Sequence, residues 1–262
     1  MRRFSAALVV VCYWLYPWIA TAEQDAPIRQ LTDIRSGYFF QSEEIQALQN
    51  DDFASPGLLW RDQGEALFSA TTMHSETACA DCHSETSLMG AAARYPQYHP
   101  TLKRLINLEQ RINLCRQEKQ QRPAWAYESE PLLAMTTYIA SLSDGMPFNV
   151  DIDGPARPFF DQGEAYYYTR LGQLNLACQH CHEANDGQRL RGDILSQGHS
   201  NNYPTYRLDW QTQGSLHRRL RFCNYGVRAE QLPYGDAIYV NLELYLAWRA
   251  GQMPLEIPSV RR

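Results

Sequence analysis

Lysine is nearly missing from this chain. Its 262 residues hold 24 basic side chains, and all but Lys103 and Lys119 are arginine. A lysine-rich docking collar is therefore excluded, and a formal net charge of −5 leaves no general basic surface for nucleic acid. Long apolar runs are as scarce: beyond residue 22 no segment is apolar enough to cross a bilayer. Period-two apolar runs are short and interrupted, which predicts a helical chain with few strands.

The one long apolar stretch comes first. Arg2 and Arg3 precede an apolar run from about Ala6 to Ile19, and Ala20-Thr21-Ala22 offers a cleavage signature, so residues 1–22 read as a secretory signal peptide. Pro17 and the short length argue against a span, and Val11 before Cys12 argues against lipidation. Loss of Arg2 and Arg3 takes the charge from −5 to −7. Residues 23–55 follow as an N-terminal extension, with Glu43, Glu44, Ile45, Ala47 and Leu48 at helical spacing after Ser42 and a break at Ser55-Pro56-Gly57.

What the chain does have is a pair of Cys-x-x-Cys-His motifs, Cys79-Ala-Asp-Cys82-His83 and Cys178-Gln-His-Cys181-His182, with 99 positions between Cys79 and Cys178. Two thiols at this spacing add to the two vinyl groups of a porphyrin while the adjacent histidine turns onto the iron. A zinc knuckle or a redox dithiol is the alternative for an isolated Cys-x-x-Cys. Here the histidine follows both times, and Asp62-Gln-Gly-Glu-Ala66 stands at the same distance before the first motif as Asp161-Gln-Gly-Glu-Ala165 before the second. The pattern predicts a duplicated unit with two covalently bound haem c groups, attached through Cys79, Cys82, Cys178 and Cys181 and ligated by His83 and His182. Haem c is attached outside the inner membrane, which agrees with export to the periplasm.

Asn149 to Pro158, with Gly154 and two prolines, reads as a linker between a first cytochrome c-like domain, 56–148, and a second, 159–262. The expected fold class is all-α: two tandem cytochrome c-like domains with long haem-wrapping loops. In each, a short helix led by the Asp-Gln-Gly-Glu segment, the attachment loop, irregular chain and a final helix (Glu130 to Leu142; Asp236 to Ala250) should follow in order. Tyr166 to Tyr168, Tyr203, Tyr206 and Trp210 are candidates for packing on the second haem.

The second axial ligand separates functions. Met73, Met89, His74 and His99 are available in the first half, and His199, His217 and Met253 in the second; His180 lies inside its own attachment loop. Seven cysteines, less Cys12 and the four attachment thiols, leave Cys115 and Cys223. One disulfide between the halves is one reading, natural in an oxidising compartment. The other is that each thiol faces the iron of its own half, since Arg111-Ile-Asn-Leu-Cys115 and Arg219-Leu-Arg-Phe-Cys223 are matched settings. Thiolate ligation would lower the reduction potential, and the cationic surroundings of Cys223 (Arg207, Arg218, Arg219, Arg221, Arg228 and His217) would favour the thiolate and an oxyanion beside it.

With these residues in view, the chain resembles the SoxA family, the larger subunits of the SoxAX c-type cytochromes of thiosulfate oxidation. The resemblance rests on Arg35-Ser-Gly37, Asp51-Asp52 with Pro56-Gly57, both attachment motifs, Asn113-Leu-Cys115-Arg116, and Arg219 to Cys223 leading into Gly226-Val-Arg-Ala229. It implies a heterodimer with a monohaem SoxX subunit and an L-cysteine S-thiosulfotransferase activity. Thiosulfate would be joined to a cysteine of the SoxYZ carrier, and the electrons passed to a soluble cytochrome c. It further implies that Cys223 is the axial ligand and catalytic sulfur of the second haem, able to carry a persulfide, that Arg219 binds the anion, and that Cys115 ligates the first haem. A thiosulfate dehydrogenase making tetrathionate, a plain electron-transfer dihaem cytochrome and a dihaem peroxidase are the competing readings.

Overall fold

The computed structural model describes residues 33–71 and 77–262. The expected signal peptide, Cys12, Met73, His74 and the start of the N-terminal extension lie outside them. In the extension, the predicted helix forms as α1 (Glu43–Gln49), and Asp51 Oδ1 then accepts the amides of Phe53 and Ala54 at 2.8 Å to close the turn. Ser55-Pro56-Gly57 does not separate segments; it starts α2 (Pro56–Ser69), with proline in the first turn where its missing N–H costs nothing.

The first half continues with α3 (Glu85–Leu88), the antiparallel pair β1 (Gln97–His99) and β2 (Arg104–Ile106), α4 (Leu108–Glu118) and α5 (Glu130–Ser141). The second repeats the order: α6 (Arg157–Tyr168), α7 (Cys178–His182), the small hairpin β3 (Arg189–Leu190) and β4 (Asp193–Ile194), the antiparallel pair β5 (Thr205–Arg207) and β6 (Thr212–Gly214), α8 (Leu216–Gly226) and α9 (Ala237–Ala250). β7 (Ser259–Arg261) closes the chain by adding parallel to β5. The fold is thus helical with seven short strands among the described residues, not purely α. Segments of two or three residues are too short to leave a period-two signature.

The Asp-Gln-Gly-Glu segments lie in the middle of α2 and α6 instead of leading short helices. The reason is a close helix crossing. A Cβ on Gly64 would sit 2.1 Å from the Ala134 carbonyl oxygen of α5, and one on Gly163 would sit 2.1 Å from the Asn241 carbonyl oxygen of α9. Only glycine lets the two backbones approach so closely.

Each crossing carries a core. Phe68, Leu132, Met135, Tyr138 and Ile112 pack the first, and Phe160, Tyr167, Tyr239, Leu242 and Tyr245 the second. Full burial of side chains such as Leu132 and Met135 contributes roughly 1.5–3 kcal/mol each. The halves interlock: Leu105 belongs to the second core and Ile257 to the first. Buried polar contacts cross as well, from Gln213 Nε2 to Thr137 Oγ1 at 2.9 Å and from Asn107 Nδ2 to Glu243 Oε2 at 3.0 Å. Among the described residues no helix is long and apolar enough to cross a membrane.

Candidate functional site

Both attachment motifs sit on a tight turn that follows the first helix of their half, Cys79–Asp81 after α2 and α7 after α6. The third residue of each caps the turn: Asp81 accepts the Ala78 amide at 2.7 Å, and His180 Nδ1 accepts the Ala177 amide at 2.9 Å. His180 is thereby occupied locally.

His182 is held for work at its other nitrogen. Nδ1 lies 2.7 Å from the Ser196 carbonyl, so it donates there and leaves Nε2 as a free lone pair. Gly198, at φ +73°, lies against the ring, where a Cβ would come 2.7 Å from Cγ. Burial, with Arg219 and Arg249 adding to it, pulls the His182 imidazolium down to about 4, so the ring is neutral as an iron ligand must be. Arg249 pairs with Glu183 at 3.3 Å and donates to the Gln197 carbonyl at 2.6 Å, fixing the same loop. His199 belongs to this side, electrostatically coupled to His182 and pulled down to about 3 by burial.

Cys115 and Cys223 come from α4 and α8, each with an arginine one turn earlier on the same face. All six described cysteines are free thiols. Cys115 adds to the burial that raises the Cys79 thiol, and Cys223 adds to the burial that raises Cys178, to about 12, and Cys181. Each spare thiol therefore lies near attachment chemistry of its own half, Cys115 near Cys79 and Cys223 near Cys178 and Cys181, and the disulfide alternative is not formed. The donor set fits haem c: two thiols at vinyl spacing, a histidine with a free Nε2, and a second thiol close by. A bare metal ion fits less well, since no group of three His, Cys, Asp or Glu among the described residues is placed to hold one.

The arginines around Cys223 divide. Arg207 pairs with Asp209 at 3.1 Å, Arg218 lies 3.7 Å from Glu128 and 4.5 Å over Trp210, Arg221 donates to the Leu232 carbonyl, and Arg228 is exposed. His217 is turned away too; the Gly235 amide donates to its Nδ1 at 3.0 Å and its Nε2 lies 3.4 Å from Glu243. Of the four arginines that are not exposed, only Arg219 has neither an ion pair nor a hydrogen-bond acceptor for its guanidinium among the described residues; it lies 5.4 Å over the Phe222 ring. Burial opposes its charge, but Cys223, Tyr203, Asp209 and Asp193 outweigh that and raise its pKa. Of the other axial candidates, Met89 is exposed and His99 accepts the Leu102 amide in the β1–β2 turn.

Tyr203 is the residue that sequence reasoning placed only as packing. Its burial-raised phenol lies in the field of Arg219 and Cys223, and Tyr95 stands in the same relation to Arg111 and Cys115. The signal was in the sequence: Tyr95-Pro96 and Tyr203-Pro204 are 108 positions apart, as are Cys115 and Cys223. The step from 99 to 108 is nine extra residues between His182 and Tyr203, the segment that contains β3, β4 and the Ser196–Gly198 cradle. Between the turn after α6 and the segment that follows α8, a cavity of about 420 Å³ is bounded by Tyr166, Gly172, Gln173, Arg228, Glu230 and Leu232.

A helical repeat, two thiols for covalent attachment and a cradled histidine define a c-type cytochrome made by duplication. The cytochrome c domain model of SoxA/TsdA matches residues 63–148. The L-cysteine S-thiosulfotransferase subunit SoxA of Rhodovulum sulfidophilum is 39% identical over 231 residues, 87% of this chain and 80% of that one. The subunit of the same name from Paracoccus pantotrophus is 36% identical over 87% of this chain and 79% of its own. The crystal structure of SoxXA from P. pantotrophus superposes with a TM-score of 0.83 at 35% identity, covering 87% of both chains. The chain belongs to the SoxA family of c-type cytochromes, which carry covalently bound haem c.

Proposed function

We propose that this chain is the haem-bearing subunit of an L-cysteine S-thiosulfotransferase that joins thiosulfate to a cysteine of a SoxYZ-type carrier. The observation that carries the reading is a free thiol, Cys223, beside an arginine without an ion pair, Arg219, in the half whose proximal histidine is cradled. Two haem c groups would be held, one by Cys79, Cys82, His83 and Cys115, the other by Cys178, Cys181, His182 and Cys223. We place one cytochrome c-like unit in 56–148 and the other in 159–262, joined at 149–158; the matched helix crossings support the division. We assign the chain to the periplasm, and the names of the relatives and of the matched structure support a SoxX partner.

In the reaction, the carrier thiol and thiosulfate lose two electrons and one proton as an S–S bond forms, leaving a thiosulfonate on the carrier. When bound, haem supplies the one-electron acceptors that pass the pair onward to SoxX and a soluble cytochrome c. Arg219 binds the sulfonate oxygens in a fork and holds the outer sulfur toward Cys223. Cys223 is the sulfur beside which the outer sulfur is held while the carrier thiol closes the new S–S bond. His217, buried and engaged with Gly235 and Glu243, takes no part in binding the anion.

Cys223→Met tests this. Transfer of thiosulfate to the carrier, read as the mass of the conjugate, should disappear while both haems stay attached; full activity in this variant overturns the proposal. Tetrathionate as the product in place of the conjugate would assign the chain to thiosulfate dehydrogenation.

A further inference from the structure

The loop that presents the Ser196 carbonyl to His182 is held from two sides. On one stands Arg249, in the last turn of α9, whose guanidinium spans the residues that follow both members of the His182–Ser196 bond. Its Nη1 donates to the Gln197 carbonyl at 2.6 Å, and its Nε donates to Glu183 Oε1 at 3.3 Å. On the other side, the Gln197 side chain accepts from the Arg35 amide at 2.7 Å and donates to the Asp33 carbonyl at 2.8 Å, which fastens the loop to the N-terminal extension. Glu183 is oriented in turn by the Tyr168 hydroxyl at 3.3 Å, itself 2.9 Å from the Tyr245 hydroxyl. The Arg249 and Glu183 side chains are each only 8% exposed. A buried ion pair often stabilises a fold no better than apolar side chains of the same volume, so what this pair contributes is a fixed position. The first half is built otherwise: Leu142 stands as far beyond Ala134 at its helix crossing as Arg249 stands beyond Asn241, and an exposed Ser84 follows His83 where Glu183 follows His182. Ser84 instead caps α3, accepting the Ser87 amide at 3.2 Å.

We propose that Arg249 is a positioning residue for the iron ligand of the second half: by tying Glu183 to Gln197 it keeps the Ser196 carbonyl on His182 Nδ1. The assignment rests on reading His182 as that ligand. An imidazole whose Nδ1–H is held by a carbonyl is a stronger donor at Nε2, which favours ferric over ferrous iron. The clamp therefore sets the second haem at a lower reduction potential than a loose loop would. The first haem, with leucine and serine at the matching positions, does not depend on it.

Redox titration of the dihaem protein, followed by electron paramagnetic resonance, tests the clamp with the first haem as internal control. The double substitution Arg249→Met with Glu183→Gln removes the clamp and leaves the net charge unchanged. Its second haem should hold the added electron about tenfold more tightly, an upward shift of about 59 mV, while the first haem keeps its potential. Arg249→Lys, which keeps the charge and loses the fork, should shift the second haem the same way by less, and it carries the test if the double variant does not fold. A second haem that titrates as in the natural chain overturns the proposal, even where thermal stability falls, because a purely structural pair would lower stability and leave the potential unmoved. A downward shift in the double variant also overturns it, being the result expected if Arg249 acts as a positive charge beside the porphyrin carboxylates. The imidazole-nitrogen hyperfine coupling of the second haem's signal reports on the other reading alone: two haems per chain with that coupling missing would defeat His182 as the ligand, whatever the potentials do.

Discussion

Glu109 offers a quantitative test of how the halves are joined. It occupies in α4 the position that His217 occupies in α8, and only 6% of it is exposed. Burial first, then the neighbouring carboxylates of Glu243 and Glu128, raise its pKa from 4.5 to about 8. The folded chain therefore holds a proton that the unfolded chain releases, and the stability this brings is complete below pH 4.5 and lost as pH rises through about 8. At about 1.36 kcal/mol per pH unit between those limits, the full effect is on the order of 5 kcal/mol. In a chain of this size that corresponds to a fall in Tm of about 10 °C or more. Glu109→Gln keeps the shape and removes the titration. Thermal unfolding of both proteins from pH 5 to pH 9 should give nearly equal stability at pH 5 and a variant several kcal/mol more stable at pH 9. Their difference is the quantity to follow, because His199, buried and neutral, contributes a slope of opposite sign below pH 6.5. Parallel curves across the whole range would refute the assignment of the buried proton to Glu109.

Gly163→Ala places a methyl group 2.1 Å from the Asn241 carbonyl oxygen and should cost about 3 kcal/mol or prevent folding, measured by denaturant unfolding; a change below about 0.5 kcal/mol would contradict the crossing. Gly198→Ala should push the His182 ring out of its cradle and alter the second haem's spectrum while the first stays unchanged. Arg219→Ala should raise the KM for thiosulfate by about tenfold or more, as expected for a lost charge-assisted contact of about 1.5–3 kcal/mol. His217→Gln should leave that KM nearly unaltered, and a rise equal to that of Arg219→Ala would return His217 to the anion site.

The attachment motifs, the duplication and the pairing of Arg219 with Cys223 could be read from the sequence, because each depends on local spacing. Gly64 and Gly163 were visible as part of a repeat, but their purpose was not, since it lies in α5 and α9, far along the chain. The same holds for the five arginines around Cys223. Asp209, Glu128 and the Leu232 carbonyl remove three of them, and sequence proximity alone does not reveal those partners. Ile257 returns to the first core while β7 pairs with β5 of the second half, and a three-residue strand has no periodicity to announce either step. Tyr95 and Tyr203 were within reach, had the 108-residue register been followed beyond the cysteines.

Electron paramagnetic resonance of the purified ferric protein tests most directly whether sulfur from Cys115 and Cys223 binds the two irons. The account predicts low-spin thiolate signals from both haems, one lost in Cys115→Met and the other in Cys223→Met. Signals without thiolate character, or a spectrum that neither substitution changes, would contradict it.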